Sequence, residues 1–333
     1  MSGATADDLG ARLAEQGARI EPVLEELMPH RAGDYVSEAV WYHMEGGGKR
    51  VRPAICLLTC EMLGGDSQKA LLFAAAVEIL HNMLLIHDDV EDGDQIRRDR
   101  QTVWVKYGIG NAINVGDYML AAAYRAVVGS PVDDATRVRL VAAFTEALES
   151  TCRGQALDMN YRAKPDMTVE DYLELVRLKT GRYMALGMAG GAIIAGLGEE
   201  AVAQIDVLGE CMGAAFQIRD DVIDLTAGKG RGGVIGNDIR EGKSSILYAY
   251  ALSVADRDQR AAMIDIMAKA REETTDRDVQ RVYRLYGDLG AFEFAQREAD
   301  RLVARAFETV EQIPVQDKGF FRDLTQFMVS RNI

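Results

Sequence analysis

The sequence has few residues that would interrupt a helix, with only 6 prolines among 333 residues. Proline removes a backbone hydrogen-bond donor and clashes with the preceding turn, so its scarcity leaves most positions able to be helical. Runs of strictly alternating β-branched residues, the usual pattern of strands, are also scarce. Ala, Leu, Glu and Arg dominate long stretches instead, and these residues favour helices. The composition therefore predicts an all-α protein.

Positive charge is in short supply as well. The chain has 38 Lys and Arg residues against 52 Asp and Glu residues, which gives a formal net charge of −14. Such a balance is a poor match to nucleic acid or to an anionic membrane surface, so we expect neither as a partner. Any anionic ligand must then be captured by local positive charge or by bound metal.

Four cysteines are present, and none belongs to a Cys-x-x-Cys motif. Cys56 and Cys60 would share one helical face and could in principle ligate zinc. However, no His or second Cys pair accompanies them at finger-like spacing. We interpret both residues, together with Cys152 and Cys211, as buried thiols in a reducing compartment.

Leader-like and membrane-spanning patterns are not evident. Met1 to Leu9 is polar and acidic, without the charged-then-apolar pattern of a signal peptide. The longest run of low polarity, Tyr183 to Leu197, has 15 residues, whereas a spanning helix needs about 20. We also find no repeat, low-complexity segment or linker. We expect one soluble, cytoplasmic domain over residues 1–333, without stable membrane insertion.

What the sequence does contain is one acidic motif twice, Asp-Asp-x-x-Asp, from Asp88 to Asp92 and from Asp220 to Asp224. Each copy follows a mostly apolar run with helical spacing, so the residues four apart share a face. Paired carboxylates repel each other unless a cation answers them, and Mg²⁺ is commonly held by one or two carboxylates plus substrate phosphates. Two such clusters, as opposite walls of one helical cavity, would bind a diphosphate. A solvated helix face is the alternative for either motif alone.

Basic residues are concentrated around the first motif. Residues 46–52 read Gly-Gly-Gly-Lys-Arg-Val-Arg, and the glycines let backbone N–H groups approach a ligand closely. Residues 97–100 read Arg-Arg-Asp-Arg, and arginine forks match phosphate oxygens bidentately. His81, seven residues before Asp88, shares its helical face and could donate to a bound anion. The alternatives are a flexible turn, a solvated salt-bridge face and an ordinary core histidine, respectively.

Three features later in the chain also fit an anionic ligand. The pair Lys179-Thr180 lies inside an otherwise apolar helix, where an ammonium group without a partner is costly. Gln155 and Asp158 continue an earlier helix and could face inward beside the site. The loop of residues 226–237 holds five glycines and two basic residues, and we interpret it as a mobile lid.

In their order along the chain, these signals resemble those of the trans-type isoprenyl diphosphate synthases, also called polyprenyl synthetases. The resemblance covers Gly46 to Lys243 and rests on seven ordered features. They are Gly-Gly-Lys-Arg-x-Arg-Pro, His81, the first aspartate motif, Arg97-Arg98, Lys179-Thr180, Phe-Gln-x-x-Asp-Asp-x-x-Asp, and Gly-Asn-Asp-x-x-Glu-Gly-Lys. The fold implied by this family is a single-domain all-α bundle around a deep central cavity, normally as a homodimer.

The resemblance also implies a role for each matching residue. The residues implied to be catalytic are Asp88, Asp92, Arg97, Lys179, Thr180, Gln217, Asp220 and Lys243. Two Mg²⁺ ions would be bound by Asp88 and Asp92 and a third by Asp220, with Asp221 and Asp224 in its water shell. The allylic diphosphate would be held by Arg97, Lys179 and Lys243, and isopentenyl diphosphate by Lys49, Arg52, His81 and Arg98. The oxygen dipoles that face the developing cation would come from Thr180 and Gln217.

The reaction implied is a head-to-tail elongation. The C–O bond of the allylic diphosphate breaks, the isopentenyl double bond attacks the resulting cation, and a proton leaves. Metal and arginine stabilise the negative charge of the leaving group, and an apolar cavity keeps water from the cation. No side chain looks like a strong base, so we expect the departing diphosphate to take the proton.

Two positions depart from the family pattern. After the first motif the family usually has Arg-Arg-Gly-x-Pro-Thr, whereas residues 97–102 read Arg-Arg-Asp-Arg-Gln-Thr, which puts the local turn in doubt. A lysine common in the glycine-rich loop is missing at Gly233-Val234. Either Lys229 or Arg231 substitutes for it, or the affinity for diphosphate falls.

The product length is predicted from the helix that precedes Asp88. The product should grow past Leu84, Met83 and Leu80, and in the family bulky aromatic residues at the fourth and fifth positions before the first aspartate stop it short. Neither Leu84 nor Met83 is aromatic. We therefore hypothesise a medium-chain product, C20 first, with C15 and C25 as the alternatives.

Two rival functions share some of these features. A class I terpene cyclase usually carries Asn-Asp-x-x-Ser-x-x-x-Glu, yet Asn237-Asp238 is followed by Glu241 and Ser245, where Ser and Glu are needed. A non-catalytic partner subunit of a synthase tends to lose one aspartate motif, and both motifs are intact here. The sequence therefore favours a synthase over either rival.

Overall fold

The computed structural model describes residues 6–226 and 235–330, and its elements are almost entirely helical. In chain order the helices are α1 (Ala6–Ala18), α2 (Glu21–Leu27), α3 (Tyr35–Met44), α4 (Val51–Met62), α5 (Ser67–Asp92), α6 (Val103–Tyr107), α7 (Ile109–Val128), α8 (Asp134–Tyr161), α9 (Val169–Val176), α10 (Arg182–Ile194), α11 (Glu199–Asp224), α12 (Asn237–Arg240), α13 (Ile246–Val254), α14 (Arg257–Met267), α15 (Asp276–Asp288), α16 (Ala291–Gln312) and α17 (Gly319–Ser330). A π-helical turn, Arg177–Gly181, joins α9 to α10, and a 3₁₀ turn, Arg271–Glu273, precedes α15. The prediction of an all-α protein is confirmed.

A short hairpin is the one sheet in the described part of the chain. Its strands β1 (Ile96–Arg97) and β2 (Arg100–Gln101) pair antiparallel, with Ile96 opposite Gln101. Arg98 and Asp99 form the turn, with φ angles of 52° and 60°. Positive φ at both turn residues is the type I′ arrangement, whose twist matches that of hairpin strands. The segment whose turn was in doubt therefore turns tightly without the glycine usual in the family.

The start of α9 is fixed by a reciprocal cap. Thr168 Oγ1 accepts a hydrogen bond from the Asp171 N–H at 3.0 Å, and the Asp171 carboxylate accepts one from the Thr168 N–H at 3.1 Å. Such a capping box satisfies two backbone donors that the first turn leaves without helical partners. It defines where the helix leading to the π-helical turn begins.

Within the described residues the chain forms two compact units, and each has its own core. Unit 1 consists of Met1–Glu146, Ala185–Ile205 and Ile313–Leu324. Helix α5 packs there against α4 and α7, and the small side chains of its middle permit close packing. Every residue from Phe73 to Val77 has 0% of its surface exposed.

Unit 2 consists of Ala147–Met184, Asp206–Gln312 and Thr325–Ile333. Its core surrounds α13, which packs against α9, α15 and α16. Ile246 and Tyr248 of α13 are fully buried there. The expectation that residues 1–333 form a single domain around a central cavity stays a prediction.

Helix α5 bears on the membrane expectation. It is the one described helix that is long and apolar enough to cross a membrane by length and composition, and 67% of its most apolar stretch is buried inside the protein. Burial of this kind is the ordinary situation of a core helix. Polar residues are scattered along α5, so it does not contain an uninterrupted apolar run of about 20 residues.

The cysteines follow their expected environment with one exception. Cys56, Cys60 and Cys211 are buried, whereas Cys152 is exposed, so its predicted burial was wrong. Burial, with smaller effects from nearby carboxylates, raises the pKa of Cys60 to about 11, and burial also raises the pKa of Cys56. Both thiols are therefore protonated at neutral pH in the metal-free protein.

Candidate active site

The first aspartate motif occupies the C-terminal end of α5, which stops at Gly93 in the left-handed conformation (φ 70°). Asp88 and Asp92 are partly exposed and lie one turn apart on the same face. Asp89 is only 1% exposed, and burial raises its pKa to about 6, although Arg97 opposes the shift. The motif thus divides into two outward carboxylates and one inward carboxylate.

Arg97 is held by the carboxylates around it. Its Nε donates to Asp89 Oδ1 at 2.5 Å, and its Nη2 lies 3.9 Å from Asp88 Oδ2 and 3.8 Å from Asp94 Oδ2. A guanidinium group presents five donors in a rigid fork, so this arrangement fixes its orientation. The structure places Arg97 next to the first motif, and its role in binding phosphate stays a prediction.

The two basic segments of the sequence meet in unit 1. Arg98, in the hairpin turn, donates through Nη1 to the carbonyl oxygen of Gly47. A side chain added at Gly48 would come within 3.6 Å of the Arg98 guanidinium, so the backbone there lies directly against it. The hairpin and the glycine-rich loop of residues 46–50 therefore form one basic surface.

His81 belongs to the same surface. Burial, followed by the nearby Arg52 and Arg98, lowers the pKa of His81 well below its usual value. The imidazole is therefore neutral at physiological pH and can donate one hydrogen bond. Lys49 is exposed in the loop just before α4. All four residues predicted to bind isopentenyl diphosphate thus lie in unit 1, and three of them are near one another.

The second motif ends α11 and is largely turned inward. Asp221 is 3% exposed and accepts hydrogen bonds from the Ile246 N–H at 3.1 Å and from Gln217 Nε2 at 3.2 Å. Burial, together with Asp238, raises the pKa of Asp221 to about 7. Because Gln217 uses its NH₂ group here, its amide oxygen is directed away from that carboxylate.

Asp224 and Asp220 differ in their surroundings. Asp224 is 7% exposed and accepts a hydrogen bond from the Asp238 N–H at 3.1 Å, so it holds the turn that begins α12. Asp220 is partly exposed. Of the aspartates in this motif, Asp220 is therefore the one best placed to meet a ligand.

Lys179 and Thr180 lie in the π-helical turn between α9 and α10. Such turns are frequent at functional sites because they displace side chains from the regular helical register. Gly154 of α8 packs directly against this turn, since a Cβ atom there would collide with the backbone N and Cα of Lys179. A glycine is required at position 154 for this close approach.

Asp158, one turn beyond Gly154, completes the environment of Lys179. Lys179 Nζ lies 2.6 Å from Asp158 Oδ2, and the Asp158 side chain is 2% exposed. Burial alone would raise the pKa of Asp158, but Lys179 and Lys243 outweigh it and hold that pKa below its usual value. The inward position that the sequence suggested for Asp158 is borne out by this burial and by the contact with Lys179.

Lys243 is positioned by a tight turn. Gly242 has φ 62°, and a Cβ atom there would collide with the carbonyl oxygen of Met267, so only glycine fits. The Lys243 N–H donates to the Asp238 carbonyl at 2.8 Å, and its Nζ lies 3.6 Å from Asp238 Oδ1. Unit 2 therefore gathers two ammonium groups around the buried Asp158.

The three predicted chain-length residues differ in burial. Leu80 is fully buried and Met83 is 3% exposed, whereas Leu84 is partly exposed. Leu84 lies close to the helical face of His81 and Asp88, and Met83 points away from that face. Only Leu84 is thus placed beside the predicted reacting groups of unit 1.

The carboxylates suit Mg²⁺ held jointly with a substrate. Among the described residues, no group of three or more His, Cys, Asp or Glu side chains could hold a metal ion on its own. Mg²⁺ typically uses one or two carboxylates and completes its octahedron with water and phosphate oxygens. Asp88 with Asp92, and Asp220, offer that donor set. The loop residues Lys229, Arg231 and Gly233-Val234 lie outside the described residues.

The chain is similar to known proteins over most of its length. The family model for polyprenyl synthetase matches residues 34–286. The geranylgeranyl diphosphate synthase of Saccharolobus solfataricus is 33% identical over 304 residues, covering 89% of this chain and 90% of that protein. The geranylfarnesyl diphosphate synthase of Aeropyrum pernix is 36% identical over 308 residues, covering 90% and 95%. The crystal structure of geranylgeranyl pyrophosphate synthetase from Pyrococcus horikoshii superposes with a TM-score of 0.89 at 32% identity, covering 98% and 99%. The chain belongs to the polyprenyl synthetase family.

Proposed function

We propose that the protein is a trans-prenyltransferase, an isoprenyl diphosphate synthase that condenses isopentenyl diphosphate with an allylic diphosphate. The observation that carries this proposal is the presence of two separate cationic groups, each suited to a diphosphate. Arg52 and Arg98 form one, with the neutral His81 beside them, and Lys179 with Lys243 forms the other around Asp158. A reaction between two diphosphates needs two such groups, and the relatives named above are synthases of this kind.

Isopentenyl diphosphate would bind to the basic surface of unit 1. Arg52 and Arg98 supply fixed positive charge and bidentate donors, and Lys49 adds a mobile ammonium group. Neutral His81 contributes a hydrogen bond without adding charge. The substrate does not ionise in this reaction, so its diphosphate needs to be held still and not expelled.

The allylic diphosphate would be held by Lys179, Lys243 and Arg97. An ammonium group has three donors, so it can bind a phosphate oxygen as well as a carboxylate. The carboxylates Asp88, Asp92 and Asp220 would hold three Mg²⁺ ions, with Asp224 nearby, and bound Mg²⁺ would stabilise the negative charge that develops as the C–O bond breaks.

The allylic cation would be stabilised by oxygen dipoles. The Gln217 amide has its NH₂ group turned to Asp221, which leaves the electron-rich oxygen as its other end. Thr180 lies beside Lys179 in the π-helical turn and offers a hydroxyl oxygen. Neither group is a strong base, so we assign the removal of the proton to the departing diphosphate.

We propose C20 as the main product, with C15 or C25 as alternatives. The two relatives are named as geranylgeranyl and geranylfarnesyl diphosphate synthases, which make C20 and C25 chains. Leu84, the residue that shares the face of His81 and Asp88, is aliphatic and blocks less space than an aromatic ring would. We further propose a cytoplasmic homodimer, which light scattering on the purified protein would test.

The test is a turnover assay with the purified protein and Mg²⁺. Labelled isopentenyl diphosphate is offered with dimethylallyl, geranyl or farnesyl diphosphate, and the product is analysed after dephosphorylation. We expect elongation to C20, and failure to extend farnesyl diphosphate beyond C15 would refute the product length. A hydrocarbon formed without isopentenyl diphosphate would instead identify a terpene cyclase. Turnover only after a second subunit is added would identify a partner subunit.

A further inference from the structure

A buried chain of polar groups lies directly beneath the loop that carries Lys49 and the first turn of α4, which carries Arg52. Its centre is Arg50, the residue before α4, which has the left-handed conformation (φ 47°, ψ 34°). Its Nη1 donates to Glu78 Oε1 at 2.8 Å and its Nε donates to Glu21 Oε1 at 2.8 Å. The side chains of Arg50 and Glu78 are 10% and 4% exposed. This ion pair is thus almost fully removed from water.

The chain continues from Glu78 through two further side chains. Asn82 Nδ2 donates to Glu78 Oε1 at 3.0 Å, and Asn82 Oδ1 lies 3.2 Å from His43 Nε2. Burial, with Arg98 and Arg97 nearby, lowers the pKa of His43 to about 3. The imidazole is therefore neutral and donates through Nε2 to Asn82. Helices α2, α3 and α5 are tied in this way to the start of α4.

The conformation of Arg50 is unusual for a residue that is not glycine. L-residues with a side chain avoid the left-handed region unless surrounding contacts hold them there. The packing at this point is also tight, because a Cβ atom on Gly17 of α1 would lie 3.0 Å from Arg50 Cβ and 3.1 Å from its carbonyl oxygen. The backbone turn at Arg50 decides where Lys49 and Arg52 point, since they are its near neighbours on either side.

Glu78 also interacts with Arg98, the arginine in the hairpin turn. The Arg98 guanidinium is stabilised by the negative charge of Glu78 and destabilised by the positive charge of Arg50, apart from the larger effect of burial. One buried carboxylate thus interacts with two arginines that would otherwise repel each other. Glu78 itself lies under this surface and is not placed to touch a diphosphate.

We propose that Glu78 is a positioning residue for isopentenyl diphosphate, acting through Arg50, and this inference rests on the proposed function. The carboxylate holds the Arg50 side chain, the side chain holds the left-handed turn, and the turn presents Lys49 and Arg52 to the same diphosphate. If Glu78 acted only through its charge, its removal would change the affinity for isopentenyl diphosphate in the opposite direction. Removing a negative charge from beneath a diphosphate site should then tighten binding, whereas loss of positioning weakens it.

The test is the variant Glu78→Gln, which keeps the size of the side chain and removes its charge. We expect the KM for isopentenyl diphosphate to rise about tenfold, while kcat and the KM for the allylic diphosphate change by less than about twofold. Glu61→Gln is the matched control, because Glu61 in the same unit pairs with Arg19 at 2.9 Å and touches none of the residues above. We expect Glu61→Gln to leave all three constants unchanged.

A double-mutant cycle with Arg50→Met tests the route through Arg50. If Glu78 acts by holding Arg50, Glu78→Gln should change the KM for isopentenyl diphosphate by less than about twofold once Arg50 is already methionine. Two fully additive effects would overturn the proposal, as would a lowered KM in the single variant. If the wild-type protein itself showed no turnover with these substrates, the proposed function would be contradicted instead.

Arg50→Lys provides a second route if Glu78→Gln does not fold, as judged by circular dichroism. Lysine keeps the positive charge but has one nitrogen, so it cannot bridge Glu21 and Glu78 as the guanidinium does. We expect Arg50→Lys to raise the KM for isopentenyl diphosphate about as much as Glu78→Gln does. An unchanged KM in a folded Arg50→Lys protein would overturn the proposal.

Discussion

Lys179 and Asp158 form a close ion pair, with 2.6 Å between Lys179 Nζ and Asp158 Oδ2, in which the lysine is 24% exposed and the aspartate 2%. Lys179 is therefore partly accessible to solvent, while the carboxylate that it pairs with is buried. Lys243 acts on the same carboxylate. Two ammonium groups repel each other, and the buried carboxylate that interacts with both offsets this repulsion.

Asp158→Asn should weaken binding of the allylic diphosphate. Asparagine has almost the same shape but cannot neutralise two ammonium groups, so Lys179 and Lys243 should move apart. We expect the KM for the allylic diphosphate to rise about tenfold, with the KM for isopentenyl diphosphate unchanged within about twofold. Initial-rate kinetics with each substrate varied in turn would measure both. Asp134→Asn, at the exposed start of the same helix, is the control, and equal effects on both substrates would contradict the prediction.

Gly154→Ala should damage both stability and turnover. The added methyl group would collide with the backbone of Lys179, and overpacking of this kind typically costs about 1–3 kcal/mol. Urea unfolding would measure the loss, and the rate assay would report the displaced lysine. Gly287→Ala in α15 is the matched control, because nothing lies within 4 Å of the position where its Cβ would be. Unchanged stability of Gly154→Ala would mean that the two helices separate easily.

The sequence was sufficient for the helical fold and for the position of Asp158. Helical fold class follows from composition, and the sequence suggested an inward position for Gln155 and Asp158, of which Asp158 is 1% exposed and Gln155 is partly exposed. The order of the motifs was also sufficient to indicate the family. These features depend on local spacing, which the sequence contains in full.

Features that depend on distant contacts could not be predicted. The two aspartate motifs have the same pattern, but the second aspartate of each has a different partner. Asp89 accepts a hydrogen bond from Arg97 Nε, and Asp221 accepts one from the Ile246 N–H. The pairing of Arg50 with Glu78 joins residues far apart in the chain, and no local rule relates them. The hairpin turn at Arg98 was missed because residues with side chains seldom take positive φ.

Leu84→Phe should shorten the product. Leu84 is partly exposed on the helical face of His81 and Asp88, so an aromatic ring there would occupy the path along which the chain is proposed to grow. We expect the main product to change from C20 to C15. Chromatography of the dephosphorylated products would measure the change. An unchanged distribution would show that this face does not limit chain length.

Met83→Ala should lengthen the product if the wall behind Leu84 also limits growth. Met83 is 3% exposed, so its truncation leaves a cavity and should lower the free energy of unfolding by about 2–5 kcal/mol. The experiment therefore needs urea unfolding beside product analysis. A destabilised variant with the wild-type product would mean that Met83 contributes only to packing and that Leu84 limits the product length.

Removal of Mg²⁺ should abolish turnover without unfolding the protein. Among the described residues, no group of three or more His, Cys, Asp or Glu side chains could hold a metal ion on its own, and we propose that the substrate diphosphate completes the Mg²⁺ site. We expect EDTA to stop the reaction, added Mg²⁺ to restore it, and the Tm without substrate to stay within about 1 °C, because an ion held by one or two carboxylates should bind the free protein weakly. A large fall in Tm on chelation would contradict the prediction.

Substitutions in the two motifs should have different effects. The substitution in the first motif should lower kcat, and the substitution in the second should lower stability. Asp92→Asn removes a partly exposed carboxylate that is predicted to bind Mg²⁺, and we expect about a hundredfold fall in kcat with little change in stability. Asp224→Ala removes the acceptor of the Asp238 N–H, and we expect it to lower the free energy of unfolding by about 1–3 kcal/mol. Urea unfolding and initial rates on both variants would check this. The opposite assignment of the two effects would refute it.

Acid should destabilise the protein through His43, whose pKa is lowered to about 3 in the folded state, first by burial and then by Arg98. In the unfolded chain the pKa is near its ordinary value of about 6.5. The contribution of neutral His43 to stability is thus fully present above pH of about 6.5 and is lost as the pH falls towards about 3, by up to about 1.4 kcal/mol per pH unit. Asp89 and Asp221, whose pKa values are raised, act in the opposite sense, so only a difference between variants isolates His43.

The variant that isolates this effect is His43→Gln, which can still donate to Asn82 but cannot take up a proton. Between pH 7.5 and pH 5 the wild type should lose about 2 kcal/mol more of its unfolding free energy than the variant does. Urea unfolding at both pH values measures this difference. His30→Gln is the control, because His30 is exposed and stacks on Trp41, and it should follow the wild type. Equal losses in wild type and His43→Gln would mean that the pKa of His43 is the same in the folded and the unfolded protein, which would contradict the predicted effect of its burial.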